Sequence, residues 1–171
     1  MLEFEIIIPK DADLLINRFL KYDQISDRHL RIAMNKSVVK IEGRAKKNAP
    51  VGVSSRLRNS LASEVKTMPG SIVGRVGSTM KKEVYPAVIE RGRKPGSMPP
   101  SSALERWVRI KLKVPAKQVK SVAFLVARKI GRRGIIGRFF LRKAWFASKR
   151  QVDGYFSKAL KAITKELAHG K

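Results

Sequence analysis

The chain has no cysteine, two histidines and 13 acidic residues among 171. The lack of cysteine excludes a disulfide framework, a thiolate metal site and a cysteine nucleophile. The shortage of histidine and carboxylate leaves little material for general acid–base catalysis or for a metal centre. No apolar run approaches the length of about 18 residues that a membrane span requires, and the acidic start at residues 1–5 does not resemble a signal peptide. We therefore expect a protein that is not an enzyme, with no catalytic residue, metal or cofactor and no membrane partner.

The few titratable residues that invite a catalytic interpretation are isolated in the sequence. His29 falls on an early helix and His169 in the C-terminal tail, and neither has a carboxylate or a second histidine at ligand spacing. Glu90 is followed by three basic residues within 91–94. Those bases would lower the pKa that a general acid needs raised, so a structural ion pair is the favoured role for Glu90.

Positive charge is what the chain has in excess, with 38 Lys and Arg and a net charge of +25. The first 27 residues carry six acids and three bases, so the other 144 residues hold 35 bases against seven acids, a net charge of +28. Residues 102–150 contain 15 bases and one acid, Glu105. With 43% apolar residues the chain is not a disordered polycation. A chain this basic repels itself and favours a polyanionic neighbour: nucleic acid, an acidic protein surface or anionic lipid.

Apolar periodicity predicts two helices near the N-terminus. Residues 11–21 match a short helix, and a longer one is expected over 27–48, with Ser26 as its N-cap and Pro50 ending it. The longer helix carries one apolar stripe at helical spacing, made of Leu30, Met34, Val38, Ile41 and Ala45.

Strands are expected on both sides of the second helix. Alternating apolar and acidic residues predict a half-buried strand over 2–8. Strands over 61–68 and 72–76 flank Pro69-Gly70, which suits a type II turn, and a third follows at 84–90. The sequence therefore predicts a small antiparallel sheet of about four strands.

The second half of the chain has helical spacing throughout. Ser102 and Glu105 have the spacing of a capping box, and the helix that they open would turn Leu104, Trp107, Val108 and Leu112 inward. A second helix over 117–130 would bury Val122, Leu125, Val126 and Ile130, and a long helix over 141–168 would close the chain. We expect an α+β fold, with residues 1–100 as the α+β body and 101–171 as a basic helical region packed on the same single domain.

The glycine-rich segment Gly131–Arg138 joins the last two helices. Glycines allow a close approach of the backbone and arginines offer bidentate donors, so a contact with DNA backbone is one hypothesis; a flexible connector carrying solvated charge is the other. The segment lacks the Gly-Lys-Ser/Thr ending of a nucleotide-binding loop. The neighbouring doublet Phe139-Phe140 is either an anchor into another subunit or part of the core.

Four short motifs, in this order, resemble the minor tail protein Z-like, or tail-completion, family of long-tailed phages. They are Ala49-Pro50-Val51, the Leu-Arg-Asn-Ser-Leu step at 57–61, the Tyr-Pro-Ala-Val-Ile-Glu-Arg-Gly segment at 85–92 and the Gly-Arg-Phe-Phe-Leu-Arg-Lys-Ala step at 137–144. The chain departs from the family pattern at Ser54-Ser55, where Thr-Gly is usual, and at Phe139 and Lys143, where prolines are expected.

The resemblance implies a structural virion protein at the head–tail junction, assembled in the host cytoplasm. Such subunits form a ring, expected to be sixfold, between the tail tube or its terminator and the head connector or stopper, and phage DNA passes through the lumen. Cationic residues would face DNA or an acidic partner, and aromatic residues would join neighbouring subunits. The expected DNA or acidic-partner contacts are Arg132, Arg133, Arg138, Arg142 and Lys143, and the expected subunit contacts are Trp107, Phe139, Phe140 and Trp145.

Two other functions compete with this one. A free basic nucleic-acid-binding protein would be a monomer or dimer that binds DNA or RNA tightly alone, with an affinity that falls steeply with salt. A basic enzyme such as a nuclease is disfavoured because acidic residues are so scarce.

Overall fold

The computed structural model describes residues 3–7, 23–68, 70–80 and 84–169. They form an α+β fold that ends in a long helix, as the sequence predicts. The elements are, in order, β1 (Glu3–Ile7), α1 (Asp23–Asn48), α2 (Arg56–Ser60), β2 (Leu61–Met68), β3 (Ser71–Ser78), α3 (Tyr85–Arg91), β4 (Gly92–Arg93), α4 (Ser102–Lys111), a 3-10 turn (Ala116–Gln118), α5 (Val119–Arg133), β5 (Ile135–Ile136) and α6 (Phe140–His169). The helix expected over 11–21 lies outside the described residues.

The two long helices, α1 and α6, pack antiparallel along much of their length. Contacts near one end join Arg28 to Glu166, and contacts near the other join Asn48 to Phe140. The predicted stripe of α1 is confirmed: Met34, Val38, Ile41 and Ala45 are buried, and Leu30 packs against them half-buried. The helix also ends at Asn48, as predicted, but it begins at Asp23, so Ser26 lies inside it and is not the N-cap.

A three-stranded antiparallel sheet, in the order β1–β3–β2, covers α1. Strands β2 and β3 form the predicted hairpin, and Gly70 takes a φ of +73° in its turn, as the third position of a type II turn requires. Gly74 lies in the middle strand, and a Cβ there would come within 2.6 Å of both the Met34 Sδ and the Val38 Cγ1 atoms. The sheet therefore approaches α1 more closely than any side chain at position 74 would allow.

The strand predicted over 84–90 is wrong, because these residues form the helix α3. Pro86 sits in its first turn, where the missing N–H costs nothing and the fixed φ suits a helix. Pro86 and Glu90, four residues apart, are the buried positions, which is helical and not strand spacing. The sheet consequently has three strands, and the remaining two, β4 and β5, pair only with each other.

The helices α4 and α5 pack together around a small second core of Val108, Val119 and Ala123. Ser101, which gives no side-chain hydrogen bond to the helix, is the N-cap of α4, so the predicted capping box from Ser102 is wrong. Of the predicted inward face of α4, Val108 is buried and Leu104 packs beside it, whereas Trp107 and Leu112 are exposed.

The buried face of α5 is rotated from the predicted one. The helix runs from Val119 to Arg133, and its buried residues are Val119, Ala123 and Ala127. Leu125 is 57% exposed, and Val122, Val126 and Ile130 are only half-buried. Small alanines on the contact face allow α4 and α5 to approach closely, so the bulkier residues fall to the flanks.

The final helix α6 is continuous from Phe140 to His169, in agreement with the prediction. Its inner face joins the main core through Phe140, Leu141, Ala144 and Val152, beside Trp145 and Phe156. Gly154 does not interrupt it. None of the described helices is long and apolar enough to cross a membrane.

Candidate functional site

The predicted cationic contact residues lie where α5 ends and α6 begins. Arg132 and Arg133 are in the last turn of α5, Arg138 precedes α6, and Arg142 and Lys143 are in its first turn. All five side chains are exposed, and we call them the basic corner. They flank residues 134–137, which connect the two helices.

The segment 131–138 is held by pairing with β4. Gly92 faces Ile136 and Arg93 faces Ile135 in this antiparallel pair. Gly134 has a φ of +69°, and a Cβ on it would meet the Arg93 carbonyl oxygen at 2.1 Å. The glycines of this segment therefore permit close backbone packing, and the structure does not show a free connector.

The Glu90 side chain holds the start of α6, next to the basic corner, through main-chain hydrogen bonds. Its side chain is buried, at 4% exposure, and its two oxygens accept the main-chain N–H groups of Leu141 at 2.9 Å and of Arg142 at 3.0 Å. The Glu90 carbonyl also accepts the N–H of Phe139. A helix N-terminus has unpaired N–H groups and a partial positive charge, so a buried carboxylate is stabilised there. The expected ion pair with the neighbouring bases is thus replaced by a helix cap, which fixes the direction in which α6 leaves the corner.

The two members of the Phe139-Phe140 doublet have different environments. Phe140 is fully buried in the main core, so it is a core residue and its expected role as a subunit contact is wrong. Phe139 is half-buried with a φ of +52°. The Arg142 guanidinium lies 5.9 Å from the ring centres of both Phe139 and Phe146, within the range of cation–π attraction.

The structure does not bring the four predicted subunit contacts into one surface. Trp107 is on α4 and 39% exposed, whereas Trp145 is half-buried against the main core. Two exposed apolar residues next to the basic corner are not predicted from the sequence, Ile136 at 88% and Phe146 at 62% exposure. The signal for Ile136 was the apolar pair at 135–136 inside a basic, glycine-rich segment.

Three polar side chains connect the start of α1 to the end of α6. The two carboxylate oxygens of Glu166 accept from the same Nη2 atom of Arg28, at 2.6 and 2.8 Å, and Glu166 lies 2.7 Å from the Nε2 atom of His29. The hydrogen bond with His29, and then that with Arg28, lowers the pKa of Glu166. His29, which looked isolated in the sequence, thus meets a carboxylate 137 positions away.

The part of the chain that the structure describes holds no cluster of metal-ligand side chains. In residues 3–7, 23–68, 70–80 and 84–169 no group of three or more His, Cys, Asp or Glu side chains could hold a metal ion.

Comparison with known proteins assigns no family to the chain. No protein-family model, no curated protein and no solved structure matches it. Two of the four motifs that carry the phage resemblance are nevertheless in contact, because Glu90 of the 85–92 segment caps the helix that begins in the 137–144 segment. The resemblance itself stays a prediction.

Proposed function

We propose that the chain is a structural subunit of the head–tail junction of a long-tailed phage, of the tail-completion or neck type that its motifs resemble. Copies would assemble in the host cytoplasm into a sixfold ring and remain in the virion. The ring would lie between the tail tube or its terminator and the head connector or stopper, around the DNA channel.

The observation that carries the proposal is the basic corner. Five exposed cations flank the segment that connects α5 to α6, and this segment is held by the buried Glu90 carboxylate and by the β4–β5 pair. Contacts to DNA phosphates need charge at defined positions but no base readout, and they position a protein on DNA of any sequence. A subunit that surrounds passing DNA needs this kind of contact, and an acidic connector surface would use the same side chains.

Exposed apolar residues support the ring. A ring closed by head-to-tail contacts uses two different surfaces of each subunit. Exposed apolar side chains occur near the basic corner (Ile136 and Phe146) and, separately, on α5 (Phe124 and Leu125). Phenylalanine is among the residue types that are enriched in the cores of contacts between proteins. Of the four predicted subunit contacts, Phe139 keeps that role in the proposal.

The test compares two variants of equal charge. In the first, all five residues of the basic corner are replaced by Gln; in the control, five other exposed lysines are replaced by Gln. The control positions are Lys36, Lys47, Lys117, Lys158 and Lys161. Duplex DNA affinity is measured over a range of salt concentrations, and rings are sought by electron microscopy. Each lost phosphate contact lowers the salt slope by about 0.9, so the corner variant is expected to lose up to about 4.5. Equal slopes for the two variants would assign the DNA contact elsewhere.

The alternative function is a free basic nucleic-acid-binding protein, and the net charge of +25 favours it too. Sizing separates the two. A ring-forming subunit gives a closed oligomer without DNA, whereas the alternative gives a monomer or dimer that still binds DNA tightly. In a phage-encoded setting, the corner variant would also fail to join heads to tails while the lysine control succeeds.

A further inference from the structure

A cleft of about 290 Å³ opens between the loop after α1 and the helix α4, and none of the five residues of the basic corner lines it. Its apolar lining includes Leu57, which is buried, and Met80. The aromatic rings of Tyr85 and Trp107 also line it, and both are about two-fifths exposed. Aromatic side chains left open beside an apolar pocket are the usual composition of a site that receives an anchor side chain.

Among the described residues that line the cleft, the two charged side chains are both basic. Arg56 and Arg106 both line it and are both exposed, and none of the described residues that line it is acidic. Ser54 adds a hydroxyl group to the same lining. Guanidinium groups bind carboxylates in a bidentate manner, so the rim favours a ligand with carboxylates close to its apolar part.

The loop wall of the cleft stands close to Tyr85. The tyrosine hydroxyl lies 3.7 Å from where a Cβ on Gly52 would be. The Tyr85 hydroxyl is protonated at neutral pH, because its ordinary pKa is 10.0 and burial raises it, and it can therefore donate a hydrogen bond. The loop, α2, the start of α3 and the face of α4 thus converge on one small apolar volume with donors around it.

From this convergence we propose that the cleft between residues 52–57 and α4 is a docking site for an acidic peptide segment with one bulky apolar anchor residue. The volume suits a single large side chain and its neighbours, and Arg106 on the rim would pair with a carboxylate flanking the anchor. A single-stranded nucleic acid fits less well, because such strands are bound along grooves with successive stacking rings, and here both rings serve one pocket. The proposal does not depend on the basic corner or on ring formation.

The experiment uses the full chain and a labelled pentapeptide, Asp-Glu-Phe-Glu-Asp. Binding is followed by fluorescence anisotropy, and by Trp107 emission in a Trp145→Phe background that removes the second tryptophan. A matched pair tests the rim: Arg106→Glu changes a cleft residue, and Arg109→Glu changes an exposed arginine of the same helix that does not line the cleft. Trp107→Ala tests the wall, with the exposed Ile110→Ala as its control. Circular dichroism confirms that each variant is folded.

The expected result is that Arg106→Glu and Trp107→Ala raise the Kd by about tenfold or more, equivalent to about 1.4 kcal/mol, while each control changes it by less than about twofold. The same peptide with Ala at its centre, or with Lys in place of its acids, should bind at least about tenfold more weakly. Trp107 emission should shift with the acidic peptide alone.

Three results would overturn the proposal. Equal weakening by Arg106→Glu and Arg109→Glu would show attraction to the net charge and no defined site. An oligothymidine of 12 nucleotides that displaces the peptide, with the same dependence on Arg106 and Trp107, would make the cleft a nucleic-acid site. Absence of any change in Trp107 emission at saturating peptide would place the peptide elsewhere. Each of these results can occur whether or not the protein forms rings, so the two proposals fail independently.

Discussion

The side-chain carboxylate of Glu90 and the main-chain amide of Leu141 share a hydrogen bond of 2.9 Å across 51 positions of the chain. With the second bond from Arg142, this contact places an acid at the end of a 30-residue helix where the first amides have no helical partner. The cations of the basic corner stand on the backbone that Glu90 holds. Stability and the candidate site are therefore coupled through one carboxylate.

Replacing Glu90 by Ala should lower the free energy of unfolding by about 3 kcal/mol, because one buried and one partly buried amide lose a charged acceptor. Glu90→Gln keeps one acceptor oxygen and should cost less, about 1 to 2 kcal/mol. Chemical denaturation measures both. The control is Glu64→Ala, since Glu64 is half-exposed and its ion pairs, at 3.4 and 3.7 Å, are at the surface. It should change stability by less than about 0.5 kcal/mol; an equal loss for the two alanine variants would contradict the capping role.

Phe140 and Phe146 lie on the same helix, the first in the core and the second at the surface. Phe140→Ala empties a fully buried position and should cost about 3 to 5 kcal/mol. Phe146 is 62% exposed, and Phe146→Ala should change the free energy of unfolding by less than about 0.5 kcal/mol. Thermal or denaturant unfolding of the two variants gives the comparison. A small effect at Phe140 would mean that the doublet's core member is misassigned.

Two glycines should respond in opposite directions to alanine. Gly92 has a φ of +84°, and a Cβ there would lie 2.5 Å from the Ile135 carbonyl oxygen, so Gly92→Ala should destabilise by more than about 1 kcal/mol. Gly154 lies inside α6, and a Cβ on it would point into open space with no neighbouring side chain within 4 Å, so Gly154→Ala should stabilise by about 0.5 to 1 kcal/mol. Melting temperatures would show the two shifts. A stabilising Gly92→Ala would rule out the tight β4–β5 packing.

The contact of Glu166 with Arg28 and His29 predicts a dependence of stability on pH. Its pKa is lowered in the folded chain, so the carboxylate stabilises the fold above its ordinary value of 4.5, and this contribution disappears as the pH falls through the folded value. The stability difference between the wild type and Glu166→Gln should therefore shrink below about pH 4.5. Because Glu166 is exposed, the difference should be small and should decrease with added salt. A difference that grows on acidification would contradict the assignment.

Local patterns predicted the elements whose partners are near in sequence or share one repeated face. The stripe from Met34 to Ala45 has helical spacing and a single burial direction, and the Pro69-Gly70 hairpin is a local turn. The segment 84–90 failed because a short apolar run does not distinguish a strand from a buried helix by periodicity. Pro86, near the start of this run, disfavours a central strand, because proline cannot donate a hydrogen bond to the sheet.

The candidate site could be predicted only in part. The five cations of the basic corner were expected to be exposed and are, because long charged side chains are rarely buried without a partner. The Glu90 contact could not be predicted, since its partners are main-chain amides some 50 positions away and main-chain amides have no sequence signature. Which phenylalanine of the doublet enters the core depends on the φ of +52° at Phe139, a conformation that non-glycine residues adopt rarely. The buried face of α5 differs from the predicted one because Val119, Ala123 and Ala127 are buried, while Val122 and Val126 pack beside the second core and are only half-buried.

The antiparallel arrangement of α1 and α6 has a mechanical consequence. With 30 residues, α6 is about 45 Å long, and Glu90 holds the end at which the basic corner lies. A load applied at that corner along the helix axis would act on the α1–α6 interface in shear, so many contacts would share it at once. A load perpendicular to the axis would instead separate them one turn at a time, so we expect the fold to resist a load along the axis better than one across it.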